Sequence, residues 1–399
     1  MTDRPLRLLS IATLYPAPQR PGFGRFVKRQ MDALAARGDW EVTVINPVGL
    51  PPLHFGRYAS LAEIPPVETD GPITVYHEQF TLIPRISGRF NPALIARAIL
   101  PLARRLHAER PFDAVDAQFF YPDGPAAARI AQDLGLPFAI KARGSDIHFW
   151  GKTPYALEQM HAAAAQADLL LAVSDALRRD MAALGLPDDR TVVHYTGLDR
   201  ERFQPLERAA ARQLVAAMPD LNVWSKGRLL LSVGALVPVK GQDLVIRAMP
   251  LLPEDVHLAI AGSGPEQARL ETLAAAMGAA DRVQFLGAVG HETLPGLLSA
   301  ADVMVLPSER EGLANAWIEA LACGTPIVVP DIGGASEIVT SPAAGRLVTR
   351  DPEAIATAVG ELLAAPPPQD EVAQTVARFS WEANAADMAD RYAVMVRRG

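Results

Sequence analysis

The sequence predicts an α/β protein made of two Rossmann-like, doubly wound domains that face each other across a cleft. Three observations predict it. The chain has 399 residues, enough for two domains at about 100–200 residues each. Residues 7–13, RLLSIAT, and 228–234, RLLLSVG, open two halves with the same apolar run, each followed by a loop and a helix. Within each half, short runs of Val, Ile and Leu alternate with helical stretches, the pattern of a parallel sheet wound on both faces. The composition is 49% apolar and 21% charged, which supplies complete cores and excludes global disorder.

The elements follow in order. The run 7–13 reads as a strand. A loop with Pro16, Pro18, Pro21, Gly22 and Gly24 leads to a helix that ends near Ala36. Further strands are expected at 41–46, 73–76, 114–117, 138–142, 169–173 and 191–194. Segment 84–110 holds six arginines against the single acid Glu109. Between them runs a partly helical apolar stripe of Ile86, Phe90, Leu94, Ile95, Ile99, Leu102 and Leu106, broken at Pro101. Such a basic amphipathic segment suits an anionic lipid surface; the alternative is a stripe packed on the sheet with solvated arginines. The second half repeats the scheme. After 228–234 come a loop with Pro238 and Gly241, a helix through Met249, and strands at 256–261, 283–286, 303–306 and 327–329. These runs lack polar alternation, as expected of parallel strands buried on both faces. The domain boundary is expected between Gly197 and Lys226. Pro366 to Pro368 stop one helix, and a last helix runs from about Trp381 to Arg397. Ligands of such sheets bind beyond the carboxyl ends of the strands, so function is expected in the loops that follow them.

Several chemistries are excluded. One cysteine, Cys323, allows no internal disulfide and no cysteine-based zinc site. The net charge is -7, and no domain has the basic footprint that nucleic acid requires. The longest stretch without a charged residue, Val42 to Gly56, is broken by prolines and too short to span a bilayer. The N-terminus carries Asp3 and no small-residue cleavage site, so no signal peptide is expected. A cytoplasmic protein is the expectation. Gly262-Ser263-Gly264 fails the dinucleotide fingerprint, because Gln267 stands where the third glycine belongs. Gly151-Lys152-Thr153 fails the phosphate-loop pattern, because Asp146 stands where the first glycine belongs. There is no G-x-S-x-G elbow. With no D-x-D pair and no paired histidines, no metal and no other cofactor is expected.

The informative stretch is 301–330, ADVMVLPSEREGLANAWIEALACGTPIVVP. A strand ends at Pro307, and a loop from Ser308 to Gly312 carries Glu309 and Glu311. A helix is expected from near Leu313 to Gly324, with Pro326 just beyond as a stop. The backbone N–H groups of Gly312, Leu313 and Ala314 lie at the helix start and can bind an anion. Gly312 admits close approach of a phosphate or a sugar. Taken singly, two glutamates at this spacing are ordinary solvated acids. Their context resembles the retaining nucleotide-sugar glycosyltransferases of the GT-B fold, family four. The E-x7-E motif of that family matches Glu311 and Glu319. AGSGPEQ (261–267), VQFLGAV (283–289), ADVMVLPS (301–308), EALACGTPIVV (319–329) and GGASEIV (333–339) follow in the same order. SVGALVPVKGQDLVI (232–246) resembles the family's phosphate-lysine block. FGRFVKRQMDALAARG (23–38), ARGSDI (142–147) and TGLDRERF (196–203) resemble its N-terminal half.

The resemblance implies domains at 1–203, on the acceptor side, and 204–376, for the nucleotide sugar. It implies that segment 377–399 is a helix crossing back to the first domain. It implies that Glu311 bonds donor-sugar hydroxyls and Glu319 the nucleotide ribose; a carboxylate can accept both hydroxyls of a diol. Gly24, Gly234, Gly312, Leu313 and Ala314 would line the donor, Leu286 and Gly287 would seat the base, and Lys240 would neutralise the leaving diphosphate. Lys240 as a surface lysine and Leu286 as a core leucine stay open. The family usually has Arg after the glycine of its phosphate block, where this chain has Ala235. Many members carry a His in the first half; here the block reads Ala142-Arg143-Gly144-Ser145-Asp146, a form shared with transferases resembling the teichuronic-acid type. That makes Arg143 a candidate catalytic cation that reaches the diphosphate on domain closure; an internal pair with Asp146 is the alternative. The implied reaction moves a hexose from a nucleotide diphosphate sugar to a glycan or lipid-linked glycan, with retention, in cell-surface polysaccharide biosynthesis. A peripheral contact with an anionic membrane at its inner face is a further expectation. An epimerase of the same fold and a non-catalytic sugar-nucleotide-binding subunit are the alternatives; release of free nucleotide diphosphate separates them from a transferase.

Overall fold

The structure is a computed structural model that describes residues 4–218 and 227–398. The domain ends expected at residues 1 and 399, and the Lys226 end of the expected linker, lie outside the described residues. The chain divides into two compact units, Met1–Gly197 with Trp381–Gly399, and Leu198–Ser380. Both are parallel-sheet α/β units, as the alternating runs predict.

The strands of the first unit are β1 (Leu6–Ile11), β2 (Trp40–Leu50), β3 (Val67–Asp70), β4 (Ile73–Thr81), β5 (Ala114–Ala117), β6 (Phe138–Ala142), β7 (Leu169–Ala172) and β8 (Thr191–Val193). Their order across the sheet is β3-β4-β2-β1-β5-β6-β7-β8. All neighbours are parallel except β3, which pairs antiparallel with β4. The order reverses at β1, whose Leu8 faces Val42 of β2 on one side and Ala114 of β5 on the other. The residues of β5 and β6 are all buried, so their apolar runs show no alternation. The edge strand β3 was not expected, because VETD carries no apolar run and is formed by pairing alone. The strand β2 continues past the expected residue 46. Its pairing with β1 ends at Ile45 while β4 flanks it to Leu50, and the one-sided stretch accommodates Pro47.

The helix Trp381–Arg398 belongs to this unit. Its Met388, Ala389, Tyr392 and Met395 pack with Leu8, Met31, Leu34, Trp40, Val42 and Val44. Each large apolar side chain buried this way contributes about 1.5–3 kcal/mol. The ring of Trp381 fills the space beside Gly197, where a Cβ would lie 2.1 Å from it.

One expectation is corrected. The helix Asn91–Glu109 is continuous through Pro101. Pro101 and Arg97 are exposed, so water can serve the Arg97 carbonyl that Pro101 leaves without its usual partner. Ile95, Ile99 and Leu102 of this helix are buried, which takes the middle of the stripe out of solvent. The large exposed apolar side chains here precede the helix: Ile83, just before the segment, and Ile86 and Phe90 within it, at 41%, 69% and 53% exposure.

The strands of the second unit are β9 (Arg228–Val233), β10 (Val256–Ala261), β11 (Val283–Gly287), β12 (Val303–Val305), β13 (Ile327–Pro330) and β14 (Gly345–Val348). They are all parallel, in the order β11-β10-β9-β12-β13-β14. The order reverses between β9 and β12, and such a switch point opens a crevice at the carboxyl ends of the two strands. The core joins Leu230, Leu258, Ile260, Val303, Val305 and Val328 of the sheet to Val245, Ile246, Ile355 and Val359 of helices.

Candidate functional site

Two loops meet at the switch point of the second unit. After β9 the chain passes Gly234 and Ala235 and makes a 3-10 turn, Pro238–Lys240. After β12 it runs through Pro307 to Ala314 and enters the helix Asn315–Ala322. Gly241 permits their contact. It has φ +72, and a Cβ there would lie 2.4 Å from the Pro307 carbonyl oxygen, so no side chain fits. The Glu309 N–H donates to the Val239 carbonyl at 2.7 Å. From the other side, the Gly334 N–H donates to the Gly312 carbonyl at 2.7 Å. Gly333, at φ +49, lies against the Glu311 carbonyl, where a Cβ would come to 2.2 Å.

This scaffold brings Lys240 and Glu311 together. The Lys240 ammonium donates directly to the Glu311 carboxylate. Their side chains are 23% and 14% exposed, so the pair is shielded but open to a ligand. Glu319 lies two turns further on, within the helix. Among the described residues its carboxylate has no hydrogen-bond or ion-pair partner. Burial alone raises it to about 7, as expected when a carboxyl loses water and gains no donor in return. The helix Asn315–Ala322 has no side-chain cap. Among the described residues, the N–H groups of Leu313 and Ala314 donate to no protein acceptor.

The remaining donor-side candidates lie on the same sheet edge. The Gly234 N–H donates to the Ala261 carbonyl, and the Gly262 N–H to the Gly287 carbonyl at 2.7 Å. A Cβ on Gly262 would meet the Gly234 carbonyl at 1.9 Å, and one on Gly264 the Leu236 carbonyl at 2.3 Å. The G-S-G that fails as a dinucleotide fingerprint therefore lets the β10 loop lie against the β9 loop. Leu286 is half-buried at the end of β11 rather than enclosed. Ala235 is exposed. The Ser308 hydroxyl and the Trp317 indole N–H are buried and unpartnered among the described residues. Nothing in the spacing of the motif singled out either.

In the first unit, Gly24 caps the helix Arg25–Ala36 with φ +69, and a Cβ there would lie 2.4 Å from the Leu14 carbonyl. Arg143 follows β6. Its Nε donates to the Gln118 carbonyl at 3.1 Å, and its Nη2 donates to the side-chain oxygens of Gln30, at 3.1 Å, and Gln118. The guanidinium carbon stands 5.0 Å from the centre of the Phe26 ring. Burial pulls the guanidinium down to about 10, so it stays charged at neutral pH. Asp146 does not pair with it. Its carboxylate accepts backbone N–H groups of Phe120, Arg143, Gly144 and Ile147, which leaves the guanidinium to the two glutamines.

Known proteins match both units of the chain. Residues 217–379 match the family described as glycosyl transferases group 1. Residues 22–197 match the glycosyl transferase 4-like domain. A glycosyltransferase of Bacillus subtilis named for teichuronic acid biosynthesis, TuaC, is 26% identical over 98% of this chain and 99% of that protein. D-inositol 3-phosphate glycosyltransferase 2 of Catenulispora acidiphila is 36% identical over 57% of this chain and 56% of its own length. The GDP-mannose-dependent alpha-(1-6)-phosphatidylinositol monomannoside mannosyltransferase of Mycolicibacterium smegmatis is 35% identical over 54% and 58%. The matched part of the chain thus spans about half the length of the first curated relatives. Among solved structures, sucrose-phosphate synthase of Thermosynechococcus elongatus superposes with TM-score 0.79 at 24% identity over 99% of this chain and all of that one. HepE of Anabaena with UDP-glucose gives 0.72 at 20% identity over 98% and 100%. At these identities the structures establish the fold.

Proposed function

Because this chain belongs to the glycosyl transferases group 1, we propose that it transfers a hexosyl residue from a nucleoside diphosphate sugar to a glycan or lipid-linked glycan, with retention, in the synthesis of a cell-surface polysaccharide. The observation that carries the reading is the Lys240–Glu311 pair at the β9–β12 switch point, with Glu319, unpartnered among the described residues, in the helix that follows the Glu311 loop. On donor binding the pair exchanges partners: the Lys240 ammonium turns to the diphosphate and the Glu311 carboxylate to sugar hydroxyls. Glu319, lacking a protein donor, accepts from the ribose diol. The N–H groups of Leu313 and Ala314 supply positive potential to the phosphates.

The leaving diphosphate gathers negative charge as the glycosidic bond breaks, and preorganised donors stabilise it. Loss of one such donor costs about 2.7–4 kcal/mol of activation free energy. Arg143 offers a guanidinium to an anionic substrate group from the first unit. Attack by the acceptor on the face that the diphosphate leaves, with a phosphate oxygen taking the proton, gives retention without a protein nucleophile. The named relatives support the class: one is GDP-mannose-dependent and one is named for teichuronic acid biosynthesis. HepE was solved with UDP-glucose.

A thermal-shift panel of UDP-, GDP-, ADP- and dTDP-sugars tests donor use. A donor at about one hundred times its dissociation constant stabilises by about 2.7 kcal/mol. Release of free nucleotide diphosphate from that donor then separates a transferase from an epimerase or a binding subunit. A panel without a shift or release overturns the reading. Peripheral contact at the cytoplasmic face of a membrane rests on Ile83, Ile86 and Phe90, exposed among Arg85 and Arg89, a mix that favours an anionic interface. No helix among the described residues is long and apolar enough to cross a membrane. Flotation with anionic vesicles tests the contact, and no salt-sensitive binding rejects it.

A further inference from the structure

Arg143 is held in a way that its own loop does not explain. Gln30, on the helix Arg25–Ala36, and Gln118, just after β5, are both fully buried. Each turns its amide oxygen to the Arg143 guanidinium. An amide can present either end, and the group on its far side decides which. The far side of Gln118 is Asp116, whose Oδ2 accepts from the Gln118 amide N–H and from the Tyr392 hydroxyl at 2.9 Å. The far side of Gln30 is Met388, whose sulfur accepts from the Gln30 amide N–H at 2.9 Å. Lys141, also fully buried, shares the Gln30 oxygen at 3.3 Å and bonds His194 Nδ1. His194 Nε2 meets the Asn384 carbonyl at 3.0 Å, so His194 must carry its proton on Nε2 and accept at Nδ1.

Met388 and Tyr392 are four residues apart on the helix Trp381–Arg398 and present one face to this network. Both are fully buried. The consequence reaches the guanidinium. Nε and Nη2 are saturated by the two glutamines. Among the described residues, Nη1 has no hydrogen-bond partner.

We infer that Gln30 and Gln118 are positioning residues that aim the free Nη1 of Arg143 at an anionic group of the substrate, and that Met388 and Tyr392 of the last helix set the orientation of both amides. The inference rests on the reading of Arg143 as a substrate-contacting cation. Reversal of either amide would set its N–H groups against guanidinium N–H groups and turn the fork away. The last helix thereby acts on the reaction without touching substrate.

The test uses the full chain, with UDP-glucose and GDP-mannose as donors and released UDP or GDP as the readout. Tyr392→Phe removes the hydroxyl and keeps the ring. Met388→Leu removes the sulfur at nearly constant volume. Each variant, and Gln118→Leu, is expected to lower release about tenfold, the worth of one hydrogen bond in the transition state, with UDP or GDP affinity unchanged by calorimetry. Met395→Leu, the same kind of swap on the same helix outside the network, should leave release at the wild-type rate. In an Arg143→Ala background, Tyr392→Phe should cost nothing further, because the two act as one unit.

Wild-type release in Tyr392→Phe and Met388→Leu, alongside loss in Arg143→Ala, overturns the inference. So does a loss that adds in the Arg143→Ala background or appears equally in Met395→Leu. Wild-type release in Arg143→Ala instead overturns the reading of Arg143 on which the inference rests. If the wild type releases neither nucleotide, the Arg143 Nη2–H resonances, whose acceptors are the two glutamine side chains, decide the positioning. Protection from solvent exchange in the wild type and Met395→Leu, with loss in Gln118→Leu and Tyr392→Phe, supports it; protection in all four overturns it.

Discussion

Glu311 and Glu319 are eight positions apart in one motif, yet their surroundings differ. Glu311 is neutralised by Lys240, whereas Glu319 is largely buried and raised to about 7 from its ordinary 4.5. Glu311→Gln is expected to keep nucleotide affinity and lose turnover, because it contacts the sugar. Glu319→Gln is expected to weaken nucleotide affinity about tenfold by losing a charged acceptor for the ribose. Calorimetric titration with UDP and GDP separates the two, and equal loss in both variants rejects the division. A second outcome follows from linkage. A carboxyl whose folded value lies above its unfolded value contributes stability that is fully present below the unfolded value and lost as pH rises through the folded one. For Glu319 that window runs from about pH 4.5 to about 7. Glu319→Gln should therefore match the wild type in thermal stability at pH 4 and exceed it at pH 8. The gain is on the order of 1 kcal/mol. Melting curves at both pH values check this, and an equal difference at the two refutes it.

At the scale of elements, glycines decide how closely the switch-point loops approach. Gly241→Ala places a Cβ against the Pro307 carbonyl in a left-handed conformation. The backbone penalty alone is about 1 kcal/mol, and relief of the clash must separate the Lys240 and Glu311 loops. Lower melting temperature and weaker donor binding are both expected. Gly360→Ala, in the interior of the helix Pro352–Ala364 with open space around it, should instead raise stability by about 0.5–1 kcal/mol. Denaturant titration of the two variants gives opposite signs if backbone geometry is the cause. The motif also shows where sequence reading stops. The helix expected from near Leu313 starts at Asn315, because the Gly333–Gly334 turn holds the preceding loop from the side. That turn is distant in sequence and carries no local signal. The strand β14, Gly345–Val348, was not expected either. GRLV is too short and mixed to stand out, and it is a strand because β13 offers it a paired edge.

At the scale of the molecule, the last helix completes the core of the first unit. Truncation before Trp381 would uncover Met31, Leu34, Trp40 and Val42 and remove the aromatic contact of Trp40 with Tyr392, at 6.0 Å between ring centres. Several buried side chains at about 1.5–3 kcal/mol each approach the whole stability of a domain. A chain ending at Ser380 is expected to lose the cooperative melting of the first unit and to bind a hydrophobic dye at room temperature. A soluble, cooperatively melting truncation would show that the helix is dispensable.

Legibility divides along a physical line. The sequence by itself determined the two parallel sheets, since strands buried on both faces must be continuous apolar runs. The Lys240, Glu311 and Glu319 set was legible only through the resemblance of its sequence blocks to a family, since a strand, a loop and a helix start by themselves leave two glutamates as ordinary solvated acids. Only the tertiary structure decided that Lys240 and Glu311 are one ion pair, because their strands are adjacent only through a crossover. It alone decided that Pro101 lies on a solvent face, where a helix tolerates it, and that the Ile95, Ile99 and Leu102 stripe faces the interior. It alone decided the fate of Arg143. Its partners Gln30 and Gln118 come from separate elements, and their amides take direction from Met388 and Tyr392, more than 250 positions away from Gln118. Hydrogen bonds of that kind have no period and no spacing in the chain. They exist once distant segments are packed, and the cost of leaving a buried amide unpaired fixes which way it faces.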